Sequence, residues 1–328
     1  MPPLDVLIVG GGPAGLATAI SMFLRGADVA VLSPAPETLN RAEMLPRAAL
    51  PVLERLGISD VLSTAIVLTG VESRWTSIRP ERLDAMSAQG AGPGWSIERD
   101  DLHAALRGRA NALGVGQIEG RLTQVSGQAG NWTVQTSGLT ELRARCVVDA
   151  TGRPSALARR IGARQIRGPN LVAQVWTQAG EQAPHLNVEA HADHWQYTLP
   201  RKCGGRSIGR ISATLLKARS SASVTHLDAR NMRLDLVSGP GWAAVGDAAV
   251  AFDPVASQGL FNAMVSGFLL GGAISDWLAG QGQALEIYAL LAGQTADHTH
   301  ALTAGQYAAS HHKTPFWIDR AKRSGPHI

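Results

Sequence analysis

Val6-Leu7-Ile8-Val9-Gly10-Gly11-Gly12-Pro13-Ala14-Gly15 sets a run of four apolar residues against a turn of glycines. The run reads as a strand buried on both faces. The turn fits G-x-G-x-x-G, with Gly10, Gly12 and Gly15 in the three places and Pro13 and Ala14 opening a helix. An apolar helix, Leu16 to Leu24, follows and is stopped by Gly26 in the C′ position. A second strand, Asp28 to Leu32, completes a strand–turn–helix–strand unit in about thirty residues, the context this motif requires. Gly10 permits the tight turn, Gly12 lets backbone approach a pyrophosphate, and Gly15 lets helix and strand pack closely. The helix N-terminus offers free N–H groups and partial positive charge to phosphates. The competing reading is a glycine-rich turn in an ordinary βαβ unit. In a dinucleotide-binding unit the second strand usually ends in Asp or Glu to hold the adenosine ribose. Here Ser33 stands there, and either Ser33 makes a neutral hydrogen bond or Glu37 reaches back.

Outward from this unit, the 328 residues suit about two domains, or one larger fold with an inserted lobe. Two cysteines, Cys146 and Cys203, exclude a disulfide framework. The net charge of +4 comes from basic residues that are nearly all Arg, 26 against 4 Lys, spread along the chain. That spread argues against a nucleic-acid partner, which calls for a concentrated basic stripe. Met1 to Asp5 shows no secretory pattern. Gly259 to Ile274, weakly polar and rich in small residues, reads as a buried helix and not a membrane span. The expectation is a cytoplasmic protein.

A second signature lies far downstream. Trp242 to Val245 leads into Gly246-Asp247-Ala248-Ala249, then Phe252-Asp253-Pro254 and Ser257-Gln258-Gly259-Leu260, before the small-residue helix. Together with the N-terminal fingerprint, this resembles the glutathione-reductase-type flavoproteins, specifically the flavin monooxygenases and flavin-dependent halogenases. The resemblance implies that Asp247, after Gly246, bonds the ribityl chain of FAD. It places Pro254, Gln258 and Gly259 beside the isoalloxazine, with a helix N-terminus favouring negative charge on the reduced ring. Between the two lies Asp149-Ala150-Thr151-Gly152-Arg153, after a strand Arg145 to Val148. It is similar to the D-A-[ST]-G-R stretch that passes the FAD pyrophosphate, which makes Thr151 and Gly152 cofactor candidates. In the phenol-hydroxylase branch an aspartate stands where this chain has Thr151, which counts against direct NADPH use.

Two further stretches carry weaker matches. Ile97 to Leu102 resembles the opening of a family helix whose arginine, here Arg99, sits near FAD; a plain surface role is the alternative. Leu102, Ala105, Leu106 and Leu113 share a face of that helix, and Gly114 ends it. Glu43 to Gly57 resembles a halogenase-branch segment that would bring Arg41 and Glu43 near the flavin. Its spacing, Leu45, Ala48, Ala49, Val52, Leu53 and Leu56, predicts a helix stopped by Gly57, with Pro51 in the first turn. A core helix with a solvated Glu43 is the other reading.

The fold expected is α/β: a Rossmann-like FAD-binding domain with an inserted β-sheet substrate domain. The FAD-binding domain takes residues 1–165, with part of the lobe near 60–95. The substrate-covering sheet takes 166–235. Residues 236–328 return to the FAD-binding domain and end in a helical tail. In the lobe, Leu171 to Thr177, Leu186 to His191, Trp195 to Leu199 and Ser207 to Ile211 alternate as strands. Trp176, Trp195 and Tyr197 line a pocket or pack in the core. Ser212 to Asn231 is polar and shorter than the connection that roofs the active site in the resembling enzymes, which implies an open cavity. His298, His300, His311 and His312 lack metal-site spacing, so no metal is expected. Pro315-Phe316-Trp317 resembles the segment closing halogenase-like and tryptophylquinone-maturation flavoproteins.

The resemblance implies an FAD-dependent monooxygenase hydroxylating an aromatic substrate through a flavin C4a-hydroperoxide. The substrate is a small molecule or a protein tryptophan, and the electron donor NAD(P)H or a separate flavin reductase. The main alternative is an FAD reductase or dehydrogenase of geranylgeranyl-reductase type. The halogenase lysine and W-x-W-x-I-P motif are missing, which disfavours halogenation; a non-catalytic binding module is the remaining reading. No general base is identifiable, with His194 and Glu189 explained equally well as surface residues.

Overall fold

The computed structural model describes residues 3–83, 94–138, 140–216 and 223–322. Parts of two sequence readings therefore lie outside the described residues: 84–93 of the 60–95 stretch and 217–222 of the Ser212 to Asn231 connection. Among the described residues the helices are α1 (Pro13–Phe23), α2 (Leu50–Leu56), α3 (Arg99–Leu113), α4 (Ala156–Ile161), α5 (Gly259–Leu278), α6 (Ala284–Ala309) and α7 (Pro315–Ala321).

Strand Leu4–Val9 is central to the larger sheet. It runs parallel to Glu141–Asp149 on one side and to Val29–Ser33 on the other. Gly116–Glu119 and Trp242–Ala244 extend the parallel set outward. Val6, Leu7 and Ile8 are fully buried, as a strand covered on both faces must be. The parallel strands all point their C-terminal ends to one edge, where the turns after them converge. In open α/β sheets that edge, at the reversal of strand order, is where ligands bind.

Helices α1 and α5 cross at very close range. A Cβ on Gly267 would stand 2.5 Å from the Ala14 carbonyl oxygen, and one on Gly271 would stand 2.4 Å from Ser21 Oγ. Ser21 Oγ in turn donates to the Phe268 carbonyl at 2.8 Å. The small residues of the Gly259 to Ile274 stretch thus serve helix-to-helix packing. Among the described residues no helix is long and apolar enough to cross a membrane.

A seven-stranded sheet faces the cleft edge. Its order is Thr225–Asp228, Val172–Gln178, Arg206–Ser212, His194–Pro200, Leu186–Ala190, Val71–Arg74 and Glu81–Leu83. The four lobe strands read from alternation are present within a residue or so of their expected ends. The polar connection after Ser212 contributes an edge strand of its own, Thr225–Asp228.

The helix expected from Leu45 onward begins later. Ala42–Pro46 is a strand paired with Gly94–Glu98, a 3-10 turn covers Arg47–Ala49, and α2 starts at Leu50 with Pro51 in its first turn. The apolar spacing there spans three elements: Leu45 is buried in the strand, Ala49 in the 3-10 turn, and Val52, Leu53 and Leu56 in α2. Gly57 ends α2 in the left-handed conformation, as expected.

The small sheet carrying Glu43 is fastened to the seven-stranded one. Ala42 N–H donates to Ser207 Oγ at 2.7 Å, and Ser96 Oγ donates to the Pro200 carbonyl at 2.7 Å. Arg201 forks onto Glu98 at 2.8–3.2 Å, a bidentate pair nine-tenths buried.

Candidate cofactor and substrate site

The turns at the sheet edge enclose a cleft of about 600 Å³. Gly10, Gly12, Pro13 and Ala14 line it, as do Arg41, Glu43, Arg99, Thr151, Gly152, Asp247 and Gly259. Gly10 adopts φ +119°, and a Cβ there would lie 2.1 Å from the Ala150 carbonyl oxygen. Gly15 packs behind the cleft, where a Cβ would lie 2.0 Å from the Gly10 carbonyl oxygen. Nothing lies within 4 Å of a Cβ built on Gly12, Gly152 or Gly259. These three glycines leave open backbone facing the cleft, a cradle that side chains would fill. The N-termini of α1 and α5 both border it, so backbone N–H groups and two partial positive charges meet there. The residues present therefore fit a dinucleotide with a pyrophosphate at α1 and an anionic ring edge at α5.

Asp149 holds the Thr151–Gly152 wall in place. Its fully buried carboxylate accepts from Thr151 N–H at 2.9 Å, Thr151 Oγ1 at 2.7 Å, Leu157 N–H at 2.9 Å and Ala158 N–H at 2.7 Å. Burial pushes its pKa up, against the pull of these four bonds. Ser155 Oγ donates to the Ala248 carbonyl at 2.8 Å, which ties this loop to the Gly246–Ala248 turn.

Arg41 and Arg99 converge on Glu43. Arg41 Nε lies 2.9 Å from one carboxylate oxygen, and Arg99 Nη1 lies 3.4 Å from the other. Burial works against the Glu43 charge, but the two guanidiniums outweigh it and hold the carboxyl below its usual range. Neither the solvated Glu43 nor the plain surface Arg99 is what the structure shows.

Asp247 faces inward. Its side chain is 43% exposed, yet that area borders the cavity, and burial pushes its pKa up while Arg153, 3.8 Å away, pulls it down. Gly246 behind it does not line the cleft. It adopts φ +59° and packs against Ala14, where a Cβ would meet the Ala14 methyl at 2.6 Å. Ser33 also departs from expectation: Leu32 and Pro34 line the cleft on either side of it, while Ser33 is buried and turned toward Gly11, and Glu37 is exposed.

The cleft opens into a second chamber of about 410 Å³, and the two share Arg41, Glu43, Asp247, Gly259 and Leu260. Pro254 and Gln258 stand on its floor; Val175, Trp195, Tyr197, Leu199 and Ile211 of the large sheet form its roof. Tyr197 fits because its register partner is Gly209, where a Cβ would strike the ring at 2.1 Å. Its hydroxyl stays protonated, pushed up to about 12 by burial and by Glu43. Trp176 lies on the opposite face of its strand, under Arg210, so it is not part of the pocket.

Three residues of this region escaped the sequence reading. Arg153 lies inside the quoted Asp149–Arg153 motif and donates to the Arg230 carbonyl while facing Asp247 and Asp228. Arg160 lines the cleft together with Thr151 and Gly152. Asp253 lines the chamber, half-buried, and burial pushes its pKa up to about 6. The Asp-Pro dipeptide was a signal, but nothing in it told that Asp253 would line the chamber. Pro315-Phe316-Trp317 forms α7 and packs under the roof: Trp317 meets Trp75 edge-on at 5.0 Å and donates to the His191 carbonyl at 2.8 Å.

Residues 3–225 match the family model described as FAD binding domain, and the chain belongs to that family. Among curated proteins it is 32% identical over 124 residues to the FAD-dependent monooxygenase OpS4 of Beauveria bassiana. That match covers 34% of this chain and 29% of the relative, less than a third of its length. It is 24% identical over 326 residues to digeranylgeranylglycerophospholipid reductase of Thermoplasma volcanium, covering 81% of this chain and 76% of that one. Among solved structures, the peptidyl tryptophan dihydroxylase QhpG superposes with a TM-score of 0.81 at 23% identity, over 97% of this chain and 79% of that one. At that identity the likeness shows the α/β fold.

Proposed function

We propose that the chain is an FAD-dependent monooxygenase that hydroxylates an aromatic substrate. The observation that carries this reading is the shared wall: Arg41, Glu43, Asp247, Gly259 and Leu260 border both the dinucleotide cleft and the aromatic-roofed chamber. Gly12, Gly152 and the α1 N-terminus would hold the pyrophosphate, Asp247 the ribityl hydroxyls, and the α5 N-terminus the edge of the ring. When bound, the flavin supplies the redox chemistry with dioxygen. The chain's own part is to orient the ring, keep water from the chamber with its apolar roof, and manage protons. Asp253 lines the chamber, and a carboxyl pushed up to about 6 would take a proton released at the substrate. The chemistry of the roof, with Trp195 and Tyr197 among aliphatic residues, suits an indole or phenol ring, free or carried on a protein. Reducing equivalents would come from NAD(P)H or from flavin reduced by a separate reductase.

A prenyl-chain reductase is the second reading, favoured by the aliphatic lining of Leu186, Val188, Leu199 and Leu227. Oxygen uptake separates the two. The FAD-loaded protein, supplied with NADH, NADPH or a flavin reductase and with indole, phenol and tryptophan-peptide substrates, should consume oxygen in step with hydroxylated product. Saturation of a prenyl double bond without oxygen uptake would replace the first reading by the second.

A further inference from the structure

A third cavity, of about 110 Å³, lies between α5 and α6. Leu269 and Leu291, each half exposed, mark its outer end. Its inner end is made by the turn at Gly246 and Asp247 and by the first turns of α5. There Asp247 and Gly259 border all three cavities, and Ala263 borders this one and the dinucleotide cleft. The wall between them is thin, because Gly259 has no side chain and Ala263 only a methyl. Nothing lies within 4 Å of a Cβ built on Gly259.

The lining favours an apolar occupant over water. Val250, Phe252, Val265, Leu269 and Leu291 supply most of the surface. The hydroxyls among the lining residues are turned onto backbone carbonyls. Tyr288 donates to Ala244 at 3.1 Å, Thr295 to Leu291 at 2.9 Å and Ser266 to Ala263 at 3.3 Å. Asp247, at the inner end, is the one charged residue on these walls among the described residues. Water stays in so small a space only with several polar partners, whereas an apolar cavity of roughly this size stays dry and takes up xenon. A dinucleotide in the cleft and an aromatic ring in the chamber would obstruct both of those ways to the shared wall. The third cavity reaches the same wall from the α5–α6 side.

We propose that this cavity is an entry for dioxygen, which passes between Leu269 and Leu291 and collects against the Gly259–Ala263 wall of the cofactor cleft. The proposal rests on the FAD monooxygenase reading and adds to it a site for the second substrate. Dioxygen is small, uncharged and apolar, so it partitions from water into such a lining.

Xenon is the probe, since it fills apolar cavities and needs no cofactor. Methyl-resolved NMR of the apoprotein under xenon pressure should show saturable shifts at Val265, Leu269 and Leu291. Ala292→Phe, which sets a ring into the cavity from α6, should abolish those shifts with Tm held or raised. The FAD-loaded variant, reduced anaerobically with dithionite and mixed with dioxygen, should reoxidise about tenfold more slowly than wild type, with FAD affinity unchanged. Absence of xenon shifts in wild type overturns the site. Xenon shifts that Ala292→Phe removes, with reoxidation unslowed, overturn the entry role. Slowed reoxidation together with no hydroxylated product from any aromatic substrate leaves the entry standing and removes the monooxygenase reading. No saturable FAD uptake overturns both. Should Ala292→Phe fail to fold, Val265→Phe fills the same space from α5 and decides in its place.

Discussion

Tyr307 on α6 donates its hydroxyl proton to Asp253, 3.1 Å from each carboxylate oxygen, and accepts the indole N–H of Trp195 at 3.2 Å. A helix near the C-terminus is thereby wired through the chamber floor to the seven-stranded sheet. Asp253 lines the chamber, and burial raises its pKa from 3.8 to about 6 despite the Tyr307 and Val255 N–H bonds. Between those two values the folded protein holds a proton the unfolded chain has lost. The associated stability is full below about pH 4 and is lost as the pH rises through about 6, a difference of about 3 kcal/mol. Asp253→Asn should flatten that fall in urea unfolding series run from pH 4 to pH 8. A variant with the wild-type slope would show that the carboxyl ionises freely.

Gly12 and Gly10 should respond oppositely to alanine. Gly12→Ala meets nothing within 4 Å, so Tm should hold while FAD affinity drops by ~10- to 100-fold. Gly10→Ala meets the Ala150 carbonyl at 2.1 Å in a left-handed conformation, and should cost about 2–4 kcal/mol of stability. Thermal melts and fluorescence titration of each variant read the two effects separately.

Asp149→Ala should cost stability and cofactor together. It leaves the α4 N–H groups of Leu157 and Ala158 buried without their acceptor. A loss of about 3–5 kcal/mol is expected, with the Thr151–Gly152 wall of the cleft released. Hydrogen exchange at Leu157 and Ala158 should accelerate in step.

Glu43 is held ionised by Arg99 and Arg41 against the cost of burial. Its folded pKa is depressed, so its contribution is present above the usual carboxylate range and lost as pH falls through the lowered value. Glu43→Gln should therefore destabilise by about 1–3 kcal/mol at pH 7 and by progressively less in acid. A penalty unchanged between pH 7 and pH 3 would mean the charge is not what matters.

Val175→Trp would fill the roof of the second chamber, away from the pyrophosphate wall. FAD binding should persist near wild-type affinity while turnover of an aromatic substrate falls by ~100-fold or more. Equal loss of both would show that the two spaces do not act separately.

The glycine fingerprint, the Asp149–Arg153 run and the Gly246–Gly259 segment were legible because each is a local device. A turn needs Gly10 wherever it occurs, and a helix N-terminus binds anions without help from distant chain. The strands of the large sheet were legible from alternation, and Gly57 and Gly114 as helix stops. Leu45 reads as helical yet lies in a strand, because a strand followed by a 3-10 turn can present apolar residues at helical intervals. Gly15 and Gly246 belong to the motifs but pack behind the cleft, a distinction of a few ångströms that residue types do not carry.

The sequence by itself determined the parallel sheet, the dinucleotide cleft at its edge and the family, since those depend on backbone conformation and short-range spacing. The tertiary structure alone decided which charges meet. Glu43 finds Arg99 across 56 positions and Asp253 finds Tyr307 across 54, and burial then sets whether each carboxyl keeps its proton. Desolvation depends on everything packed around a group, so it exists only once the chain has closed.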